Sequence, residues 1–177
     1  MSGIDVAAVE GVLVDRIRRV FPDDVALVCR YGSYARGTAT ARSDLDVFFI
    51  PATDRGREAA VAVLVGGLTV DFWAINWEWL ERSARLEERG APIVAEAQIL
   101  YARSSQDRER FEGLRRSLRA IEGHGDPLHY TELSHDRLQS AYPPLHRLRQ
   151  AAGAGDLTAA RRAVVEIISV VCSAVAL

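Results

Sequence analysis

The chain has 177 residues, 49% of them hydrophobic, and 22 basic residues (all arginine, no lysine) against 24 acids give a net charge of −2. That length predicts one domain, or a small domain with a helical appendage, able to bury a real core. The acidic balance argues against a polyanion-binding surface, and two scattered cysteines, Cys29 and Cys172, argue against a disulfide framework or zinc site. Asp5, Glu10 and Asp15 are foreign to a secretory signal, and Glu166 interrupts the apolar stretch 163–177, which is too short to span a bilayer. The expectation is a soluble, cytoplasmic protein.

In chain order, Val6, Val9, Leu13, Ile17 and Val20 recur at helical spacing over residues 5–20. Residues 25–29 read as a short buried strand. Residues 32–43 are small, polar and glycine-containing, a loop with room for one helical turn. Asp44–Ile50 is a second strand, ended by Pro51. Residues 57–65 fit a helix or a third strand equally, because their periodicity does not decide. Gly66-Gly67 marks a turn, and β-branched and aromatic residues make 68–75 a strand. Asn76 is a helix N-cap, and 105–121 is a charged helix with Phe111, Leu114 and Leu118 inward. Gly123–Pro127 is the linker candidate, followed by helical stretches at about 131–141, 143–152 and 156–177. The expected organisation is α+β: a mixed sheet flanked by helices over residues 1–122, then an all-helical part over 123–177.

The chemistry concentrates in Tyr31-Gly32-Ser33-Tyr34-Ala35-Arg36-Gly37 and Ser43-Asp44-Leu45-Asp46-Val47. Gly32 lets the backbone approach a ligand closely, and Ser33 offers a hydroxyl and an N–H to an anion such as phosphate. Asp44 and Asp46 lie two apart on a strand, so both carboxylates share one face about 7 Å apart along the backbone. Such like charges repel unless a cation lies between them, and oxygen-only ligation suits Mg²⁺. Asp71 supplies a third carboxylate if its strand pairs beside 44–50. A phosphate cradle facing three acids describes two-metal nucleotidyl transfer.

These residues, Gly-Ser, a glycine-bearing loop, Ser-Asp-x-Asp and a later strand Asp, resemble the nucleotidyltransferase domain of the DNA polymerase β superfamily over about residues 25–75. Size and helical tail are similar to the kanamycin nucleotidyltransferase type and to the minimal nucleotidyltransferases. The resemblance implies Gly32 and Ser33 as triphosphate contacts and Asp44 and Asp46 as ligands of two Mg²⁺ ions. It implies Asp71 as a ligand of the catalytic ion beside the attacking hydroxyl. Arg36 and Arg42 are candidate phosphate contacts, with solvated loop positions as the alternative. Trp73, Trp77 and Trp79 fit base or sugar stacking, or ordinary packing. His124, His129, His135 and His146 have no metal spacing.

The chain departs from the kanamycin type in one respect. No residue near Glu132, Asp136, Gln139 or Ser140 matches the glutamate base of that type's helical domain. The implied activity is transfer of NMP from an NTP, ATP foremost, to a hydroxyl of a small molecule such as an aminoglycoside-like sugar. Two alternatives stay open: a protein-AMPylating antitoxin of a toxin–antitoxin pair, and a non-catalytic nucleotide-binding module. An acidic chain without lysine speaks against a nucleic-acid substrate. Residues 162–175 are apolar around most of a helix, which predicts burial against a second copy, a homodimer, or against a further segment, with folding back onto the outer face of the α/β domain as the alternative.

Overall fold

The computed structural model describes residues 4–123, 134–135 and 138–175. The chain divides into two compact units, Met1–Ala120 and Ile121–Leu177.

The first unit is built on a five-stranded sheet of β1 (Val25–Tyr31), β2 (Leu45–Pro51), β3 (Val61–Val65), β4 (Leu68–Ala74) and β5 (Gln98–Ala102). Their order is β3-β4-β2-β1-β5. The β2–β4 pair is parallel and every other pair antiparallel, so the sheet is mixed as expected. Helix α1 (Val6–Val20) starts where the Asp5 carboxylate accepts the Ala7 N–H at 3.0 Å. Its inner stripe, Leu13 and Ile17, packs on one sheet face against Val28, Val47, Phe49, Val70 and Phe72. Strand β4 shows the cause in its alternation: Leu68, Val70 and Phe72 are buried while Thr69 and Asp71 are exposed. Strand β2 is apolar on both faces, and Phe48 on its second face meets Phe111 of α5 (Ser105–Gly123), ring centroids 6.3 Å apart. Cys29 is fully buried, and burial pushes its thiol far above the ordinary range, so it is a packing group and no nucleophile.

The undecided stretch 57–65 resolves into a 3₁₀ turn, Arg55–Ala59, and the edge strand β3. Two elements carried no sequence signal: α4 (Ala91–Glu96) and β5. The guanidinium of Arg115 on α5 holds α4 in place by donating to the Val94 and Ala97 carbonyls, which are left unpaired at the helix end. Two further helices precede α4: the short α2 (Gly32–Arg36), on the turn after β1, and α3 (Trp77–Ala84), whose Asn76 cap accepts the Trp79 N–H at 2.7 Å.

In the second unit, α6 (Tyr142–Ala154) and α7 (Leu157–Val175) form a helical hairpin. Gly155 takes the left-handed conformation that closes α6, and the Asp156 carboxylate accepts the Thr158 and Ala159 N–H groups to open α7. Val164, Val165, Ile168 and Val171 stay exposed. No helix among the described residues is long and apolar enough to cross a membrane. Most of the expected linker 123–127, and residues 131–133 and 136–137 of the expected helix 131–141, lie outside the described residues.

Candidate active site

The parallel pairing of β2 with β4 puts Asp46 directly opposite Asp71, and the antiparallel pairing of β1 with β2 puts Tyr31 opposite Asp46. One row of the sheet therefore reads Tyr31, Asp46, Asp71. Asp44 stands two residues before Asp46, at the entry to β2, so the strand period turns it to the same face. Asp44 and Asp71 are exposed and Asp46 is half-buried.

Burial, then the negative charges of Asp44 and Asp71, raise the Asp46 carboxyl above its ordinary value, and Arg36 opposes them weakly. Asp46 thus feels both other acids, and among the described residues none of the three is closed by an ion pair. Nor do three such side chains among the described residues converge closely enough to enclose a metal ion unaided. The donor set is oxygen-only and mutually repelling, which fits a hard divalent ion that completes its shell with water or phosphate oxygens.

Gly32 lies against this row. Its φ of +71° belongs to the left-handed region, and a Cβ there would stand 2.6 Å from Asp46 Oδ2. Any side chain at this position would therefore meet both strain and a carboxylate. Ser33 follows on α2, which Gly37 closes in the left-handed conformation at φ +72°. The Ser33 carbonyl accepts the Thr38 N–H at 2.9 Å. The Gly-Ser turn and the acids are thus neighbours, brought together by strand pairing.

The two arginines are placed differently from each other. Arg36 donates through Nη1 to Glu96 Oε2 at 2.7 Å, so its guanidinium is engaged at α4. Arg42 is exposed on the loop before β2, where its N–H donates to Thr40 Oγ1 at 3.3 Å. Below the acid row, Trp73 Nε1 donates to Tyr31 Oη at 3.0 Å, across Phe48. Trp79 meets Trp73 edge-on at 6.4 Å, and Arg110 lies over Trp77 at 4.3 Å. All three tryptophans are half-buried. His135 and His146 bond to Gln139 and Gln150; His124, His129, Glu132 and Asp136 lie outside the described residues.

What local sequence does not reveal is the support behind the turn. Arg30 donates to Gln98 Oε1 through Nε at 3.0 Å and Nη2 at 2.6 Å, and to Glu10 Oε1 through Nη1 at 2.9 Å. Gln98 in turn donates to the Ala35 carbonyl at 2.8 Å. These partners come from α1, β1, β5 and α2, and no short motif joins them.

Two acids side by side under a glycine turn are an oxygen-only donor set of the kind that suits a hard divalent ion. Residues 12–91 match the nucleotidyltransferase domain family. Over that stretch, which lies within the first unit, the chain is similar to a nucleotidyltransferase domain, the transferase class that the sequence reading expects. No curated protein matches it significantly. Among solved structures it is similar to a toxin–antitoxin complex with AMP-PNP, at 20% identity over 65% of this chain and 87% of that one, TM-score 0.39. A mutant of the toxin–antitoxin MntA–HpeT is similar at 18% identity with the same coverage, TM-score 0.40. A nucleotidyltransferase-like protein from Exiguobacterium sibiricum 255-15 is similar at 14% identity over 92% of this chain and 55% of that one, TM-score 0.45.

Proposed function

We propose that the first unit moves an NMP group from an NTP, ATP foremost, onto a hydroxyl with release of pyrophosphate. The observation that carries this reading is the register of Asp46 with Asp71 on parallel strands, with Gly32 packed against the Asp46 carboxylate. Asp44, Asp46 and Asp71 would hold the two Mg²⁺ ions, and Gly32 and Ser33 would meet the triphosphate. Bound there, Mg²⁺ supplies charge neutralisation at the phosphates and a lowered pKa for the acceptor hydroxyl. The residues themselves act by position. The acceptor oxygen would bond to the α-phosphorus as the bond from that phosphorus to the β-phosphate oxygen breaks and pyrophosphate leaves, and Asp71 would stand beside the hydroxyl as it gives up its proton. Arg36 contributes to phosphate binding only if it leaves Glu96, whereas Arg42 is unencumbered by an ion pair among the described residues.

The acceptor in this reading is a small-molecule hydroxyl, such as that of an aminoglycoside-like sugar, in the cytoplasm. A second reading, AMPylation of a protein partner, is favoured by one observation: α7 presents Val165 and Ile168, 66% and 56% exposed, as an apolar face for another helix. The same face fits the homodimer predicted from the sequence, and light scattering distinguishes a dimer from a 19.5 kDa monomer. ATP labelled at the α-phosphate tests the function. Label recovered on an aminoglycoside with Mg²⁺ present supports the first reading, and label on protein supports the second. Binding without release of pyrophosphate would reduce the unit to a nucleotide-binding module.

A further inference from the structure

Helix α2 has only five residues, too few to hold its own shape. The N–H groups of Gly37 and Thr38 take up the Ser33 and Tyr34 carbonyls. The Ala35 carbonyl is taken by a side chain 63 residues away, Gln98 Nε2 at 2.8 Å. The orientation of that amide is fixed. Its Oε1 accepts two bonds from Arg30, which leaves Nε2 for Ala35, and Arg30 is itself held by Glu10, only 7% exposed. Two residues before Gln98, Glu96 holds Arg36, so one short segment grips the last two residues of α2.

We propose that Gln98 is a positioning residue for the nucleotide: through the Ala35 carbonyl it fixes the Gly32–Ser33 turn beside Asp46 without touching the substrate. The proposal rests on the reading of Gly32 and Ser33 as triphosphate contacts. The position demands an amide. A carboxylate of the same shape keeps both bonds from Arg30 but has no donor for Ala35 and sets a negative charge against that carbonyl.

Gln98→Glu therefore isolates the tether. Because its bond to Arg30 becomes an ion pair, the variant should melt at or above the wild-type temperature. Amide hydrogen exchange at Tyr34–Thr38 should quicken. The KM for ATP should rise roughly three- to tenfold, the range set by one net hydrogen bond. The kcat should stay within about twofold, since nothing at the reacting atoms has changed. Gln98→Leu, which removes both interactions, should show the same local exchange together with a lower melting temperature.

Unchanged exchange at Tyr34–Thr38 in Gln98→Glu would overturn the proposal. So would faster exchange with an unaltered KM in an enzyme that turns over. If the wild type transfers no nucleotide, the function above fails. The link to the nucleotide fails with it, and exchange alone then decides whether the tether exists.

Discussion

Two charged clusters flank the same turn, and they are built on opposite principles. Behind it, Glu10, Arg30 and Gln98 satisfy one another: a carboxylate meets a guanidinium at 2.9 Å, and the amide completes the set. In front of it, Asp44, Asp46 and Asp71 share a sheet face with no ion pair among the described residues, and burial together with their repulsion raises the Asp46 carboxyl. Paired charge fixes structure. Unpaired like charge costs stability, and in the proposed function a cation would supply the opposite sign.

The contrast is broken most severely at the acids. Asp46→Asn keeps the shape of the side chain and removes a ligand charge, so transfer should fall by about a thousandfold, measured as pyrophosphate release. Asp71→Asn should lose transfer comparably yet keep measurable Mg²⁺·ATP affinity by calorimetry, since in the proposed function Asp71 serves the hydroxyl side. Equal loss of affinity in the two variants would refute that division of roles.

The rear cluster should respond in the opposite sense. Glu10→Gln leaves the Arg30 charge with a neutral partner in a mostly buried setting, and should lower stability by about 1–3 kcal/mol in denaturant titration. Transfer by the folded fraction should persist. A Glu10→Gln protein as stable as wild type would show that this ion pair carries no structural weight.

The smallest effect is on pH dependence. The folded-state pKa of Asp46 is raised, so between its unfolded and folded values the native state binds more proton than the unfolded chain. Without metal, its contribution to stability therefore falls as pH rises through the carboxylate range. Asp46→Asn removes that component, and its metal-free melting temperature at neutral pH should equal or exceed the wild type's. A lower value would mean that the Asp46 charge is stabilising.

The front cluster was legible in the sequence and the rear one was not. Gly32-Ser33 and Asp44-x-Asp46 are adjacent in the chain, and period-2 alternation around Asp71 marks its strand and its face. Register did the rest, because an aspartate on each of two buried strands aligns once the strands pair. Residues 91–102 carry neither alternation nor a helical stripe. Their α4 and β5 exist because Arg115 pairs the end of α4 and because β1 offers an edge to Gln98–Ala102. Glu10, Arg30 and Gln98 are separated by 20 and 68 positions, so their meeting is a product of the finished sheet. Arg36 shows the same limit: its loop position reads as a phosphate contact, and only the fold reveals Glu96 beside it.

The central claim, that the unpaired acids form a site for a cation, is tested most directly by thermal melting of the wild type and Asp46→Asn across a Mg²⁺ titration. An ion that binds only the native state raises its stability in proportion to RT ln(1 + [L]/Kd). The melting temperature of the wild type and of Glu10→Gln should rise with Mg²⁺, and the shift should be strongly reduced or absent in Asp46→Asn. A Mg²⁺-dependent shift of equal size in Asp46→Asn would contradict that claim.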